Sequence, residues 1–186
     1  MALKVNSTTI PTTGTIKYNG TSLTKVICNG TTVWENKAYI CNGGSISTAT
    51  ALGGGLAVYQ KCGFGWGWYD EADSDEYGIC TITQNSSNIK FTGPSNKYGS
   101  IMSKKVINLS NYSKLYVVAS DVYLYNSGGP RIGFATDNSY QFSGTWKTLS
   151  EKGTFSLDIS SLTGNHYFVI AFQNKCYCTV TGIYLV

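Results

Sequence analysis

Short runs of β-branched and aromatic residues, broken by Gly, Asn and Ser, fill this chain. No window carries apolar residues at helical spacing over ten or more positions. The expected fold class is therefore all-β. The sharpest local signal lies in IKYNGTSLTKVICNGTTVWE, where Asn19-Gly20 and Asn29-Gly30 each stand between strand formers. Both residues of an Asn-Gly step accept the positive φ of a type I′ turn, whose twist suits a two-residue hairpin. Two such turns predict a three-stranded meander over residues 14–35, inside an N-terminal module of residues 1–37. Pairing through them sets Tyr18 opposite Thr21, Ile16 opposite Leu23, Ile27 opposite Thr32 and Lys25 opposite Trp34, all on one face. A lone three-stranded sheet with one apolar face is marginal in water. The module is thus expected to dock through Ile16, Leu23, Ile27 and Trp34, onto its own chain or a neighbour.

Beyond a junction at residues 35–38, the stretch 42–55 holds five glycines among Ser, Thr and Ala and reads as a flexible loop or linker. Strand character returns at Leu56–Lys61, and turn signals then recur about every ten residues, as in a sandwich. Strands are expected near 77–83, 88–92, 100–107, 114–125, 131–136, 154–159, 166–173 and 176–186. Phe155, Leu157 and Ile159 alternate with Ser156 and Asp158, which predicts a half-buried strand. Tyr167, Val169 and Ala171 alternate with Phe168, Ile170 and Phe172, so both faces are apolar and that strand should be central.

Composition sharpens the picture. Only 13% of residues are charged, and fourteen tyrosines and 21 glycines stand in their place. That is the vocabulary of sheets and turns. The net charge of +4 forms no basic stripe: Lys104-Lys105 is the only adjacent basic pair and Arg131 the only arginine, which argues against nucleic-acid binding. No apolar run approaches a membrane span, so no membrane insertion is expected, and residues 1–10 show no signal-peptide h-region. The six cysteines (28, 41, 62, 80, 176 and 178) then read as buried thiols acting as small hydrophobes, with a disulfide framework as the alternative for a secreted chain. Six Asn-x-Ser/Thr triplets, at Asn6, Asn19, Asn29, Asn85, Asn108 and Asn111, read as turn chemistry rather than glycosylation.

Three features could carry chemistry. Gly63-Phe64-Gly65-Trp66-Gly67-Trp68-Tyr69 puts Phe64, Trp66 and Trp68 on one face of an extended strand. Such a face is either buried core or a platform for sugar rings, with Trp66, Trp68 and Tyr69 as the ligand candidates. The segment 70–76 holds five of the ten acidic residues, and Asp70, Asp73 and Asp75 are candidate calcium ligands. It lacks the spacing of an EF-hand, and a solvated acidic loop is the plainer reading. No other cofactor is expected. Arg131, beside Gly128-Gly129-Pro130, could bind a carboxylate or sugar hydroxyls. His166 has no nucleophile near it in sequence, and Asp121, Asp137, Glu151 and Asp158 are scattered, so no catalytic residue is assigned and no enzyme is expected.

Two stretches carry resemblances. FSLDISSLTGNHYFVIAF, followed by TVTGIYLV, resembles the closing strands of galactose-binding-like jelly rolls, over residues 153–186 and more loosely 100–186. The resemblance implies a jelly-roll β-sandwich for residues 38–186. Lys17-Tyr18-Asn19-Gly20-Thr21, Lys25-Val26 and Asn29-Gly30-Thr31-Thr32-Val33-Trp34-Glu35 are similar to the opening of small structural proteins of tailed bacteriophages and prophages of Gram-positive gut bacteria. Those often read Val-x-Val-Asn-Gly-Thr-x-Val-x-Lys-Val-x-x-Asn-Gly-Thr-x-Val-Trp-Glu. What this implies is an attachment module followed by an exposed sandwich in a virion protein of tail, fibre or surface-decoration type, assembled in the bacterial host cytoplasm. Its implied partners are other virion proteins or copies of itself, with host-surface or mucosal glycans as the ligand. A bacterial carbohydrate-binding module or lectin-like adhesin is the alternative.

Overall fold

A computed structural model describes residues 4–5, 8–9, 17–18, 21–23, 25–59, 78–95, 97–126, 128–136, 142–144 and 146–186. Contacts divide the chain into a small unit, Met1–Ala38, and a large one, Tyr39–Leu185.

The small unit holds β1 (Lys4–Val5), β2 (Thr8–Thr9), β3 (Lys17–Tyr18), β4 (Thr21–Ser22), β5 (Lys25–Cys28) and β6 (Thr31–Glu35). Among the described residues they pair as three antiparallel ribbons, β1-β2, β3-β4 and β5-β6. The turn chemistry itself is as read: Asn29 and Gly30 have φ of 48° and 77°, and Tyr18 lies opposite Thr21. Ile27 pairs with Thr32, but a bulge then sets Val26, not Lys25, opposite Trp34. Ile27 is 53% exposed. Ile16 and the side chain of Trp34 lie outside the described residues.

In the large unit the chain runs through β7 (Ala38–Asn42), β8 (Ser45–Ile46), a 3₁₀ turn (Thr50–Leu52), β9 (Leu56–Tyr59), β10 (Thr81–Gln84), β11 (Ile89–Thr92) and β12 (Tyr98–Ser103). It continues through β13 (Ile107–Asn108), β14 (Lys114–Tyr123), β15 (Arg131–Ala135), β16 (Lys147–Thr148), β17 (Gly153–Asp158), β18 (Asn165–Gln173) and β19 (Tyr177–Leu185). Two antiparallel sheets result. The first has the order β10-β11-β19-β14-β17, with β7 and β8 joined through β19; the second has β16-β15-β18-β12-β9, with β13 on β18. From β14 on, the longer strands change sheet at each step (β14, β15, β17, β18, β19). The orders β11-β19-β14-β17 and β12-β18-β15-β16 are those of an eight-stranded jelly roll. The chain is all-β, and its large unit is a β-sandwich.

Alternation in single strands explains the packing. Val117, Ile183, Val180 and Phe91 of the first sheet and Ile132, Phe134, Phe168, Ile170 and Ile101 of the second are all buried. Phe134 and Phe168 meet edge to face at 5.9 Å. β18 is central, as its two apolar faces predict. Its second face buries Val169 and Ala171 with Met102 and Ala135 under the half-buried rings of Tyr59, Tyr98, Phe142 and Tyr167. The strand expected over 100–107 stops at Ser103. That buried hydroxyl accepts the Phe168 N–H at 3.0 Å and donates to the Lys105 carbonyl at 2.8 Å, turning the chain. Two of the Asn triplets are turn chemistry here: Asn85 Oδ1 accepts the Ser87 and Asn88 N–H groups, and Asn108 Oδ1 that of Ser110.

The stretch 42–55 is no linker. The Gly43 N–H donates to Thr181, and the Gly53 and Gly55 carbonyls accept from Lys105 and Lys104. A Cβ on Gly44 would stand 1.5 Å from the Asn85 carbonyl oxygen. The glycines serve close backbone approach, not freedom. A broad-specificity protease acting on native protein should therefore leave 42–55 uncut until the sandwich unfolds. Early cleavage inside that stretch, mapped by mass spectrometry, would show it to be loose.

Candidate surfaces on the sandwich

Of the residues singled out in the sequence, Trp66, Trp68 and Tyr69 and the acidic Asp70, Asp73 and Asp75 lie outside the described residues. Arg131 opens β15, opposite Ala171 of β18 and Thr148 of β16. The β15–β16 pairing carries Trp146, just before β16, alongside it. The Arg131 guanidinium lies 4.4 Å from the Trp146 ring centroid, and Phe142 adds a second ring 6.3 Å from the indole. A planar cation over an aromatic face is a favourable quadrupole contact that also fixes the guanidinium. Phe142 is anchored on Met102, Ala135 and Val169, while Trp146 stays 44% exposed. The result is an amphipathic patch: a ring edge, a fixed set of N–H donors and an apolar base. Sequence reading passed over Trp146, because only the pairing of β15 with β16 brings it to Arg131.

The outer face of the first sheet carries a second arrangement. Along the β14–β19 pair, Tyr116 lies opposite Tyr184 and Tyr123 opposite Tyr177. The rings stack at 5.2 Å and 5.4 Å, each pair with an interplanar angle of 16°. Tyr39 of β7 extends the first stack, 5.2 Å from Tyr184. On the other stack the Lys90 Nζ of β11 sits 3.6 Å from the Tyr177 centroid. Between the stacks Val118 lies opposite Gly182, which is buried, and Asp121 opposite Thr179. A Cβ built on Gly182 would meet nothing nearer than 3.8 Å. The Asp121 carboxylate accepts a hydrogen bond from the Tyr177 phenol and so raises its pKa, because ionisation would set two anions together.

Other titratable groups are engaged in structure. His166 is buried, with its Nδ1 3.4 Å from the Gly164 carbonyl. Asp158 Oδ1 accepts from the Ser160 hydroxyl at 2.6 Å and its N–H at 2.9 Å, which hold the carboxyl below the usual range. Cys41, Cys80, Cys176 and Cys178 are free thiols and buried. Burial pushes Cys41 and Cys80 up to about 12 and Cys176 to about 11, so none of these is a ready nucleophile. Cys28 lies in β5 and Cys62 outside the described residues. Among the described residues no group of three or more His, Cys, Asp or Glu is placed to hold a metal. A cleft at the open edge of the sandwich, beside Leu115, Ile132, Leu149 and Phe155, holds about 10 Å³, room for a single water at most. No protein-family model matches the chain, and no curated protein matches it.

Proposed function

We propose that this chain is a non-enzymatic structural protein of a tailed phage or prophage virion, in the tail, a fibre or a surface decoration. The N-terminal unit attaches it, and the galactose-binding-like sandwich is presented outward to host-surface or mucosal glycans. The observation that carries the reading is the hairpin at Asn29-Gly30. The residues of the virion-protein resemblance, Asn29-Gly30-Thr31-Thr32-Val33-Trp34-Glu35, form the turn and second strand of a ribbon in a unit of its own. Particles induced from a lysogenic host and purified by density should contain this chain in multiple copies by quantitative mass spectrometry. Its absence from particles, with the protein present in the soluble fraction or culture medium, would sink the assignment and leave the reading as a carbohydrate-binding module. The Arg131–Trp146 patch supports that second reading equally, since it needs no virion.

The glycan part has its own test. Trp146→Ala removes an exposed ring and one cation–π contact, so the expected loss of stability is about 0.5–1 kcal/mol. On an array of mucin-type and bacterial surface glycans its signal should drop several-fold. Unchanged binding would remove this patch from the ligand site.

A further inference from the structure

We infer that Asn29 is a site of spontaneous deamidation, at which the β5–β6 ribbon is altered covalently whatever the N-terminal unit attaches to, and that the fold spares the other described Asn-Gly step, Asn42-Gly43. The chemistry needs no enzyme. The Gly30 amide nitrogen, losing its proton, attacks Cγ of the Asn29 side chain. The N–Cγ bond forms as the Cγ–Nδ2 bond breaks, ammonia departs with that proton, and a five-membered succinimide closes. Water then opens the ring at one of its two carbonyls. One opening yields Asp; the other yields isoaspartate, whose main chain runs through Cβ.

Such a site needs a following residue without a side chain, an N–H free to lose its proton, and room for the Asn side chain to swing onto it. The steps Asn19-Gly20, Asn29-Gly30 and Asn42-Gly43 all meet the first condition. Asn19-Gly20 lies outside the described residues. Asn29 and Gly30 are both exposed, and a Cβ built on Gly30 would meet nothing within 4 Å. Among the described residues no acceptor takes the Gly30 N–H and nothing holds the Asn29 side-chain amide. β5 pairs there with β6 alone, and a two-stranded ribbon opens locally at low cost.

Asn42 is exposed as well, so exposure does not separate the two steps. The backbone does. The Gly43 N–H donates to the Thr181 carbonyl at 2.9 Å, and a Cβ on Gly43 would lie 3.8 Å from the Ser86 and Ser87 carbonyl oxygens. Asn42 is itself paired with Ser45. Attack at Gly43 must first break that hydrogen bond and lift the β7–β8 turn off residues 85–87. Asn85, which precedes Ser86, is also tied down: its Oδ1 accepts the Ser87 and Asn88 N–H groups, and its Nδ2 donates to Asn88 Oδ1 at 2.8 Å.

The consequence for the ribbon is geometric. A turn with φ of 48° and 77° at its two central residues fits ordinary α-linked residues. Isoaspartate adds an atom to that main chain and sets a carboxylate at its tip. The pairs Cys28–Thr31 and Ile27–Thr32, which close on the turn, then lose their register.

The test is incubation of the full chain in mildly alkaline buffer below its unfolding temperature, beside a sample in guanidinium chloride. Trypsin cuts after Lys17, Lys25, Lys37 and Lys61, so each Asn-Gly step falls in its own peptide. Mass spectrometry with electron-transfer fragmentation then scores Asn, Asp and isoaspartate at each step. In native protein Asn29 should convert at least about tenfold faster than Asn42, a ratio that a small difference in local opening supplies. In guanidinium chloride the two rates should converge, because the selectivity belongs to the fold. Conversion of Asn42 in native protein at a rate near that of Asn29 overturns the inference. So does a native Asn29 that stays intact while the denatured one converts.

Discussion

Moving the reduced protein from about pH 8 to about pH 10 should lower its unfolding free energy by about 5–6 kcal/mol, far more than any surface group could account for. The cause is the buried thiols. Cys41 and Cys80 are pushed from 9.0 to about 12 and Cys176 to about 11, and burial raises Cys178 as well. Above about pH 9 the unfolded chain loses these protons while the folded chain keeps them, so the unfolded state binds fewer protons and stability falls as pH rises. The contribution is whole below that value and is lost on the way to pH 11–12. Each thiol contributes about 1.4 kcal/mol per pH unit over the window, hence the total for four at one unit above 9. Urea midpoints measured with reductant at three pH values, beside a thiol-reagent titration of native and unfolded protein, check it. Flat midpoints, or rapid labelling of all these thiols in native protein, would show that they are open to solvent.

Replacing Phe168 with alanine should cost about 3–5 kcal/mol and lower the melting temperature by about 10 °C. Phe168 has no exposed surface and meets Phe134 edge to face between the sheets, so its removal empties the middle of the sandwich. Ile79→Ala is the matched control. Ile79 is 64% exposed, and its truncation should change stability by no more than about 0.5 kcal/mol. Similar losses at both positions would contradict a core centred on β18.

Much of this arrangement is legible in single stretches of sequence, and the reasons are local. The alternation of Phe155, Leu157 and Ile159, and the doubly apolar run from Tyr167 to Phe172, fix a half-buried strand and a central one whatever they pair with. The positive φ of Asn29 and Gly30 follows from residue type. What failed is what depends on a partner. The bulge in β6 comes from pairing, and it sets Val26 rather than Lys25 opposite Trp34. The glycines of 42–55 look the same in sequence whether they loosen a chain or let it press against Asn85. Both candidate surfaces were hidden for the same reason. Arg131 was visible as a lone arginine, but Trp146 reaches it only through β16. Tyr116, Tyr123, Tyr177 and Tyr184 become stacked pairs only once β14 has found β19, some sixty residues on.

The placement of β19 also constrains how the chain is born. It is the last strand, yet it lies inside the first sheet, between β11 and β14, pairing Ile89 with Val180 and Leu115 with Leu185. At about 5–20 residues per second, a ribosome exposes β11 several seconds before its partner is made. Until residue 185 has cleared the exit tunnel, β11 and β14 present open edges with apolar inner faces, the kind of surface that invites chain-to-chain pairing. Folding then waits on contacts between distant segments, which puts it in the millisecond-to-second class. A nascent chain stalled before Tyr177 should accordingly be held by chaperones and cleaved readily by protease, whereas one carrying an added C-terminal linker that brings Leu185 clear of the tunnel should resist.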